Sequence, residues 1–332
     1  IISQFIVITL FQSRLSHRNY NLNESLNIII DHCPIYRRRF VEDYINFFSF
    51  ENYLFVAYQA FLTYLGFNSI FNQDVLQIRA YALMNVGGYV YTMIQMFEVK
   101  IPVEFARKAC LTQIDSKILE NDLPHFISYT CFAMLTSYLS FKIYPSFGIE
   151  YYFRKKIGQD EILLPLLKRR HILKILLKFT AFFSTVHSIL FIYTSLKFIM
   201  NKNYLLVFVN LVYLFVSALS IKLTHIACIS MDNETVHEML YFIYLWIIVL
   251  FYNISLCAIG VMYILENGWY FSCLYTSVYF SVSFASFMCA WHVKNDFGKG
   301  LKEAIASNKM KCEQILDIQS IVIDDDEGQQ SS

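Results

Sequence analysis

His187 and Asn253 are the polar residues whose positions in this chain point most directly to ligand chemistry. Both lie inside long apolar blocks, where an ionisable or amide side chain costs free energy unless it finds a hydrogen-bond partner. We interpret them as candidate ligand contacts that face the interior of a helix bundle. The commoner arrangement, in which a neutral histidine bonds a neighbouring helix, is the alternative interpretation.

Aromatic side chains form the second candidate set. The chain contains 31 Phe and 24 Tyr residues, and aromatic rings commonly line pockets for small apolar molecules. We predict that Tyr129, Trp246 and Tyr252 contribute to such a pocket. The alternative is that the aromatic rings face lipid or pack at the membrane interface.

No catalytic or metal-binding motif accompanies these residues. The eight cysteines have no C-x-x-C spacing, and the eight histidines form no H-x-x-H-H or H-E-x-x-H run. The motifs G-x-S-x-G, G-x-G-x-x-G and the P-loop are absent from the sequence as well. We therefore expect neither an enzyme nor a bound cofactor or metal.

Composition places the chain among membrane proteins. Of its 332 residues, 56% are hydrophobic and only 16% are charged, and the mean hydropathy is +0.43. Soluble domains usually carry about 25% charged residues. The net charge of +1 gives no general attraction to nucleic acid, so we expect membrane lipid, not nucleic acid, as a partner.

Seven long apolar blocks organise the chain. As helices they are long enough to cross about 30 Å of hydrocarbon, whereas barrel strands are about 10 residues of strict alternation. The blocks cover residues 44–67, 75–97, 125–153, 172–200, 204–230, 239–265 and 269–293. The sequence therefore predicts an all-α, polytopic membrane protein with a seven-transmembrane helix bundle over residues 44–293.

Positive charge predicts the orientation of this bundle. Residues 154–174 contain seven Lys or Arg against two acidic residues, and basic residues near span ends favour the cytoplasm. We therefore predict an extracellular amino-terminal segment, residues 1–43, and a cytoplasmic tail, residues 294–332. Of the two glycosylation sequons, Asn23-Glu-Ser and Asn233-Glu-Thr, only the first lies outside, so Asn23 is the predicted acceptor.

The tail contains an amphipathic stretch followed by an acidic end. Phe297, Leu301, Ala304, Ile305 and Met310 fall near one helical face, which predicts a short helix on the inner leaflet. A solvated juxtamembrane tail is the alternative, because two glycines weaken the helix. The acidic, serine-tipped residues 324–332 are expected to be disordered.

Three stretches together resemble the nematode serpentine chemoreceptors, in particular the beta class and its relatives. Residues 32–37 (His-Cys-Pro-Ile-Tyr-Arg) are similar to a His-Pro-x-Tyr-Arg run at the outer end of the first helix of that family. Residues 110–114 (Cys-Leu-Thr-Gln-Ile) are similar to its Cys-Asp-Leu-Ile stretch before the third helix. Residues 144–150 (Tyr-Pro-Ser-Phe-Gly-Ile-Glu) are similar to the proline-containing end of that helix, although Tyr151 replaces the arginine that follows the glutamate.

The resemblance implies a G-protein-coupled receptor that detects small environmental molecules. It implies a heterotrimeric G protein and a small-molecule ligand as partners, and a location in the plasma membrane of sensory cells. It also draws attention to Cys110, for which Cys33 or Cys273 is the candidate disulfide partner; a reduced, free Cys110 is the alternative.

Charged residues near the predicted cytoplasmic face are candidates for a coupling switch. Arg154 lies one helical turn after Glu150, so the two side chains can pair along the helix. Arg154 can alternatively reach Asp232, Glu234 or Glu238 at the start of the sixth span and hold the protein in an inactive state. A basic collar that only anchors the helix is the simpler interpretation.

The main competing class is a polytopic transporter or lipid scramblase with eight or more spans. In that case residues 1–11 form part of a span instead of a signal segment or an apolar tail. Transporters often contain two related halves with interrupted helices, and the apolar blocks of this chain contain no such repeat.

Overall fold

The computed structural model describes residues 1–30, 35–98, 118–147, 162–200, 202, 204–267 and 270–307. The regular structure in these residues is helical. The long helices are α1 (Ile2–Ile30), α2 (Ile35–Phe71), α3 (Val75–Glu98), α4 (Ile118–Phe147), α5 (Leu164–Met200), α6 (Tyr204–Asn233), α7 (Val236–Asn267) and α8 (Tyr270–Asn295). Residues 301–307 form a short further helix, the tail helix.

The predicted all-α class is confirmed, and α2 to α8 correspond one to one with the seven apolar blocks. Five helices in the described part of the chain are long and apolar enough to cross a membrane, which indicates an integral membrane protein. They lie at Glu51–Phe71, Leu164–Leu196, Tyr204–Asn233, Val236–Met262 and Tyr270–Asn295. The seven-span topology is not confirmed and stays a prediction.

The α6 helix is one of the five candidate membrane spans, whereas the α3 helix is not. The outer face of α6 exposes Leu205, Phe208 and Phe215, as expected for a helix that contacts lipid. By contrast, α3 carries Gln77 and Asn85, both buried, and does not reach the hydropathy of a span. Its polar side chains therefore bond to other helices instead of facing lipid.

The long helices form two groups of four. In the first group, α1 contacts α2, α2 contacts α3, α3 contacts α4, and α4 returns to α1. In the second group, α5, α6, α7 and α8 follow one another in the same way, and α8 returns to α5. Except between α3 and α4, the connections within each group are short, which makes consecutive helices antiparallel neighbours.

The two groups meet along α3, which contacts α5 and α8. At one end of this junction, His171 Nε2 lies 2.5 Å from Asp74 Oδ2. At the opposite end, Glu98 Oε1 accepts the backbone N–H of Phe271 at 2.6 Å. Between these polar contacts, the Phe61 ring stacks on a phenylalanine ring of α5 with centroids 4.3 Å apart.

Local signals in the turns explain where two helices begin. Asp74 caps α3, because its Oδ1 accepts the backbone N–H of Gln77 at 3.1 Å. Thr235 and Glu238 have the spacing of a capping box at the start of α7, and the Thr235 hydroxyl donates to Glu238 Oε2 at 2.6 Å. Glu234, just before them, has a φ of 57°, a left-handed conformation that ends α6.

The α1 helix is the main difference from the sequence prediction, which treats residues 1–43 as a segment outside the bundle. Gln4 is buried and donates to Asn85 Oδ1 at 2.5 Å, while its own Oε1 accepts the Tyr81 hydroxyl at 3.1 Å. Further along α1, Gln12 Nε2 lies 3.1 Å from His125 Nε2 of α4. The partners of Gln4 and Gln12 lie far from α1 in the sequence. The lengths of the apolar blocks therefore do not predict these contacts.

Replacing Gln4 with leucine should loosen α1 from the first group. The substitution leaves Asn85 Oδ1 and the Tyr81 hydroxyl without their partner, at a cost of about 1–3 kcal/mol for each buried orphan group. We expect Gln4→Leu to lower the melting temperature of the detergent-solubilised protein by several degrees. The control is Ile6→Ala at an exposed position of the same helix; equal melting temperatures for the two variants would contradict this role of Gln4.

Candidate ligand site and charged end

His187 of α5 lies in a box of aromatic rings contributed by three helices. Its ring centroid is 5.0 Å from Tyr279 and 5.1 Å from Tyr275, both on α8, and 6.0 Å from Phe191 on its own helix. Tyr252 of α7 closes the box edge-on at 6.4 Å. We call His187 and these four rings the aromatic box; it brings together two of the predicted ligand residues, His187 and Tyr252.

The hydrogen bond of His187 determines which ring nitrogen carries the proton when the side chain is neutral. Nδ1 lies 3.0 Å from the carbonyl oxygen of Phe183, which can only accept, so Nδ1 is the donor and Nε2 of the neutral ring is an acceptor. The partner is one turn earlier on α5 rather than on a neighbouring helix.

Three buried side chains, one in the box and two beside it, have polar atoms without a hydrogen-bond partner among the described residues. They are the Tyr252 hydroxyl, both amide atoms of Asn253 and the Ser283 hydroxyl. Asn253 and Ser283 are completely buried. Native proteins pair the great majority of such groups, and each orphan costs about 1–3 kcal/mol. Together these atoms offer both hydrogen-bond donors and hydrogen-bond acceptors.

A chain of hydroxyl groups connects the box to α6. The Ser184 hydroxyl lies 2.7 Å from the Tyr279 hydroxyl and accepts from Ser220 at 2.5 Å. Ser217 donates to the Ser184 carbonyl oxygen at 2.6 Å and lies 2.8 Å from the Ser188 hydroxyl. Small polar residues let helices approach closely in a membrane and bond across their interface. Together with the box, this network is uncharged.

Trp246 and Tyr129 lie outside the aromatic box. Trp246 is fully buried on α7, where its Nε1 donates to the Ser283 carbonyl oxygen at 3.0 Å, so it packs next to the site as part of the core of the second group. Tyr129 belongs to α4 in the first group and accepts from Gln59 Nε2 at 3.1 Å. The structure therefore does not place Tyr129 with the other predicted ligand residues.

Sequence reasoning missed the contribution of α8. Tyr275, Tyr279 and Ser283 are spaced four residues apart, so they share one face of that helix and point toward α5 and α7. Hydroxyl-bearing residues at a four-residue spacing in an apolar block could have been recognised in the sequence. This spacing distinguishes Tyr275 and Tyr279 from the other tyrosines of the chain, whereas the amino-acid composition does not.

One end of the second group collects ion pairs, and we call it the charged end. Glu234, in the turn between α6 and α7, accepts from Arg170 Nη2 at 2.5 Å, and both side chains are at least nine-tenths buried. Nearby, Asp232 pairs with Lys174 at 2.5 Å, but its side chain is 65% exposed. Exposed pairs contribute little to stability, whereas buried pairs with several donors are held firmly. Glu234 is therefore the central acid of the charged end.

Hydrogen bonds keep Glu234 ionised. Burial alone would raise the pKa of this carboxyl group, but the Arg170 guanidinium and the backbone N–H groups of Gly298 and Lys302 outweigh it, and the pKa lies below its ordinary value. These contacts therefore stabilise the folded state fully when the pH is above the carboxyl pKa of the unfolded chain. Their contribution is lost as the pH falls through the lowered pKa of the folded state.

The predicted coupling residues are only partly placed. Glu150 and Arg154 lie outside the described residues, so their pairing stays a prediction. Of the three acids named as alternative partners of Arg154, Asp232 and Glu234 already contact cations of α5. Glu238 accepts from the hydroxyl of Thr235 at the start of α7.

The cysteines and sequons are placed to a similar extent. Cys33 and Cys110 lie outside the described residues, while Cys273 on α8 is a free thiol. Asn23 lies within the helical backbone of α1. The backbone carbonyl of Asn233 accepts from Lys302 Nζ at 3.4 Å, which places this second sequon at the charged end.

Comparison of the chain with models of protein families, with curated protein sequences and with solved structures finds no match. In the residues that the structure describes, no group of three or more His, Cys, Asp or Glu side chains could hold a metal ion. The aromatic box and the charged end are therefore the candidate functional features of this chain.

The neighbouring glycines of α3 give a matched test of the packing around Tyr129. A Cβ at Gly88 would overlap the Tyr129 hydroxyl, whereas the nearest atom to a Cβ at Gly87 is the Tyr58 hydroxyl at 3.7 Å. We expect Gly88→Ala to lower the unfolding temperature, because overpacking costs about 1–3 kcal/mol. Gly87→Ala should raise it, since alanine favours a helix by about 1 kcal/mol over glycine. The unfolding temperatures of the two variants are compared with that of the wild type. A change of the same sign in both variants would contradict this packing.

Proposed function

We propose that this chain is a membrane receptor for small, uncharged molecules that bind at the aromatic box. The observation that carries the proposal is the set of buried polar atoms without partners at Tyr252, Asn253 and Ser283, next to aromatic rings. A folded protein tolerates such a cost where the groups serve binding. The nematode chemoreceptor resemblance at residues 32–37, 110–114 and 144–150 supports the same class of function.

The chemistry of the box supports an uncharged ligand. No Lys, Arg, Asp or Glu belongs to the aromatic box or to its two unpaired neighbours, Asn253 and Ser283. A charged guest would have to leave water without an opposite charge to meet it, which is costly in a buried site. A guest with an aromatic ring and an amide or hydroxyl group matches both the stacking surfaces and the hydrogen-bonding groups.

Coupling in this proposal runs along the helices of the second group. α5 carries His187 near its middle and Arg170 near its start, and α7 carries Asn253 and begins next to Glu234. A ligand that shifts α7 against α5 therefore changes the charged end, where a heterotrimeric G protein would bind from the cytoplasm. The receptor then belongs in the plasma membrane of sensory cells, with α2 to α8 as its seven spans.

A transporter or lipid scramblase is the second candidate, and two observations favour it. The long helices divide into two groups of four, as in proteins built from two halves. In addition, Ile1 lies against Gly66 near the end of α2, so the amino end of α1 is close to the turn that places Asp74 beside His171. If α1 crosses the membrane, both ends of the described chain lie on one side.

Accessibility of tags at the two ends of a full-length clone in intact cells separates the candidates. An outer amino end with an inner carboxyl end supports the receptor, and glycosidase-sensitive mass at Asn23 should accompany it. Both ends inside favour the transporter. A carboxyl end outside contradicts both candidates and the orientation predicted from positive charge.

Three probes of one shape test the ligand class. Benzamide, benzoate and benzylamine share a ring but carry a neutral, a negative and a positive group at neutral pH. We expect benzamide to raise the melting temperature of the purified protein in a concentration-dependent way, since a ligand that binds only the folded state stabilises it. Equal shifts from the two charged probes would contradict a site for uncharged molecules.

Asn253→Leu should separate binding from stability. Because neither amide atom makes a hydrogen bond of good geometry in the described residues, an apolar residue of similar size should raise the free energy of unfolding by about 1–3 kcal/mol, while the benzamide shift disappears. The control is Asn210→Leu in α6, whose amide donates to the Thr194 hydroxyl at 3.1 Å. That variant should lose stability and keep the shift; an unchanged benzamide shift in Asn253→Leu would place the ligand elsewhere.

A further inference from the structure

The tail helix packs against protein at the charged end. Leu301 is completely buried and lies in one cluster with Leu163, Leu166 and Leu167 at the start of α5. The next turn of the tail helix adds partly buried Ala304 and Ile305 to this cluster. The sequence predicts that this face lies on the inner leaflet, whereas in the structure it contacts α5.

An aromatic residue of the tail covers the central ion pair. The Arg170 guanidinium carbon lies 5.3 Å from the centroid of the Phe297 ring, while its nitrogens donate to Glu234 and, at 3.2 Å, to the Met231 carbonyl oxygen. A guanidinium that is shielded from water and stacked on a ring interacts more strongly than an exposed one. The tail thus helps to bury the pair formed by Arg170 and Glu234.

The tail backbone bonds directly to the turn between α6 and α7. Glu234 accepts the backbone N–H of Gly298 on Oε2 at 3.0 Å and that of Lys302 on Oε1 at 3.1 Å. Gly298 and Gly300 have φ angles of 77° and 81°, which favour glycine, so the chain can bend to present these donors. One carboxylate therefore holds both the beginning of the tail helix and the bend before it.

A second carboxylate fixes the tail to α5. Asp296 is buried and accepts from Arg169 Nη1 at 2.8 Å through Oδ2 and from Lys299 Nζ at 2.8 Å through Oδ1. In total, the segment places an acid, an aromatic ring, two backbone donors and a leucine on complementary groups of α5 and the α6–α7 turn. Seven residues are too few for a helix that is stable alone, so these contacts hold it in place.

We propose that residues 296–305 are an intramolecular occupant of a docking site on α5 and the α6–α7 turn, and that a helix of a partner protein with the same pattern displaces them. The partner would present a carboxylate to Arg169, an aromatic ring to Arg170, backbone donors to Glu234 and a leucine to the cluster of Leu163. The tail then prevents binding until the site is vacated. This inference does not depend on the proposed ligand.

The first experiment compares two acids of one turn. Glu234→Gln removes the charge that holds the tail, whereas Asp232→Asn alters an exposed acid whose partner is Lys174. In hydrogen exchange of the purified full chain, the Lys302 N–H should exchange about tenfold faster in Glu234→Gln than in the wild type, because charge-assisted hydrogen bonds are lost. Asp232→Asn should leave the exchange of the Lys302 N–H unchanged. Equal exchange rates in the two variants would contradict the proposal that Glu234 holds the tail.

The second experiment tests whether the site can take a segment supplied by another molecule. A fluorescent peptide of residues 294–307 should bind a full chain with Leu301→Asp, whose own tail is detached, at least about tenfold more tightly than it binds the wild type, whose site is filled. A peptide that itself carries Leu301→Asp should bind neither chain. Phe297→Ala provides a second detached chain in case the first folds poorly, as judged by thermal unfolding. Equal affinity for wild-type and detached chains, or no binding to either folded variant, would refute an exchangeable tail.

Discussion

In hydrocarbon a polar side chain can bond only to protein, and this constraint acts on the five helices that are candidate membrane spans. Between lipid-facing helices there is little hydrophobic driving force, so hydrogen bonds and close packing decide which surfaces meet. In the first group, amides join the helices, with Gln4 bonding to Asn85 and Tyr81. The second group uses hydroxyls, with Ser184 joining Ser220 and Tyr279. The apolar residues that dominate the composition fill the space between these bonds.

The same constraint applies to buried polar atoms that have no hydrogen-bond partner. Among the described residues such atoms occur in both groups of helices, for example at Gln12 and Ser195. Asn253 and Ser283 are distinguished by their completely buried positions beside the aromatic box. A bundle that placed leucine at these positions would be more stable, so a functional role in binding explains their presence better than a structural one.

The sequence predicts the fold where apolar length decides the structure. α3 begins at Val75 and α6 at Tyr204, the first residues of two predicted blocks. It does not predict the packing of α1, because this helix is held partly by glutamines whose partners lie up to 113 positions away in the sequence. It identifies Glu234 as an important acid but not Arg170 as its partner, since several cations are near in sequence and only the packing of α5 against the α6–α7 turn selects one. His187 and Tyr252 are predicted, while the α8 face is not.

The geometry of Glu234 constrains any switch at the charged end. Its Oε1 already accepts from Arg170 and from the Lys302 backbone, and its Oε2 accepts from Gly298. Each carboxylate oxygen has about two acceptor sites, so a further guanidinium could not bind Glu234 with two parallel bonds while the tail is in place. A contact of Arg154 with Glu234 through two parallel bonds therefore requires that the tail has left and freed two of these sites. That two-bond contact and the docked tail are alternative arrangements of one carboxylate.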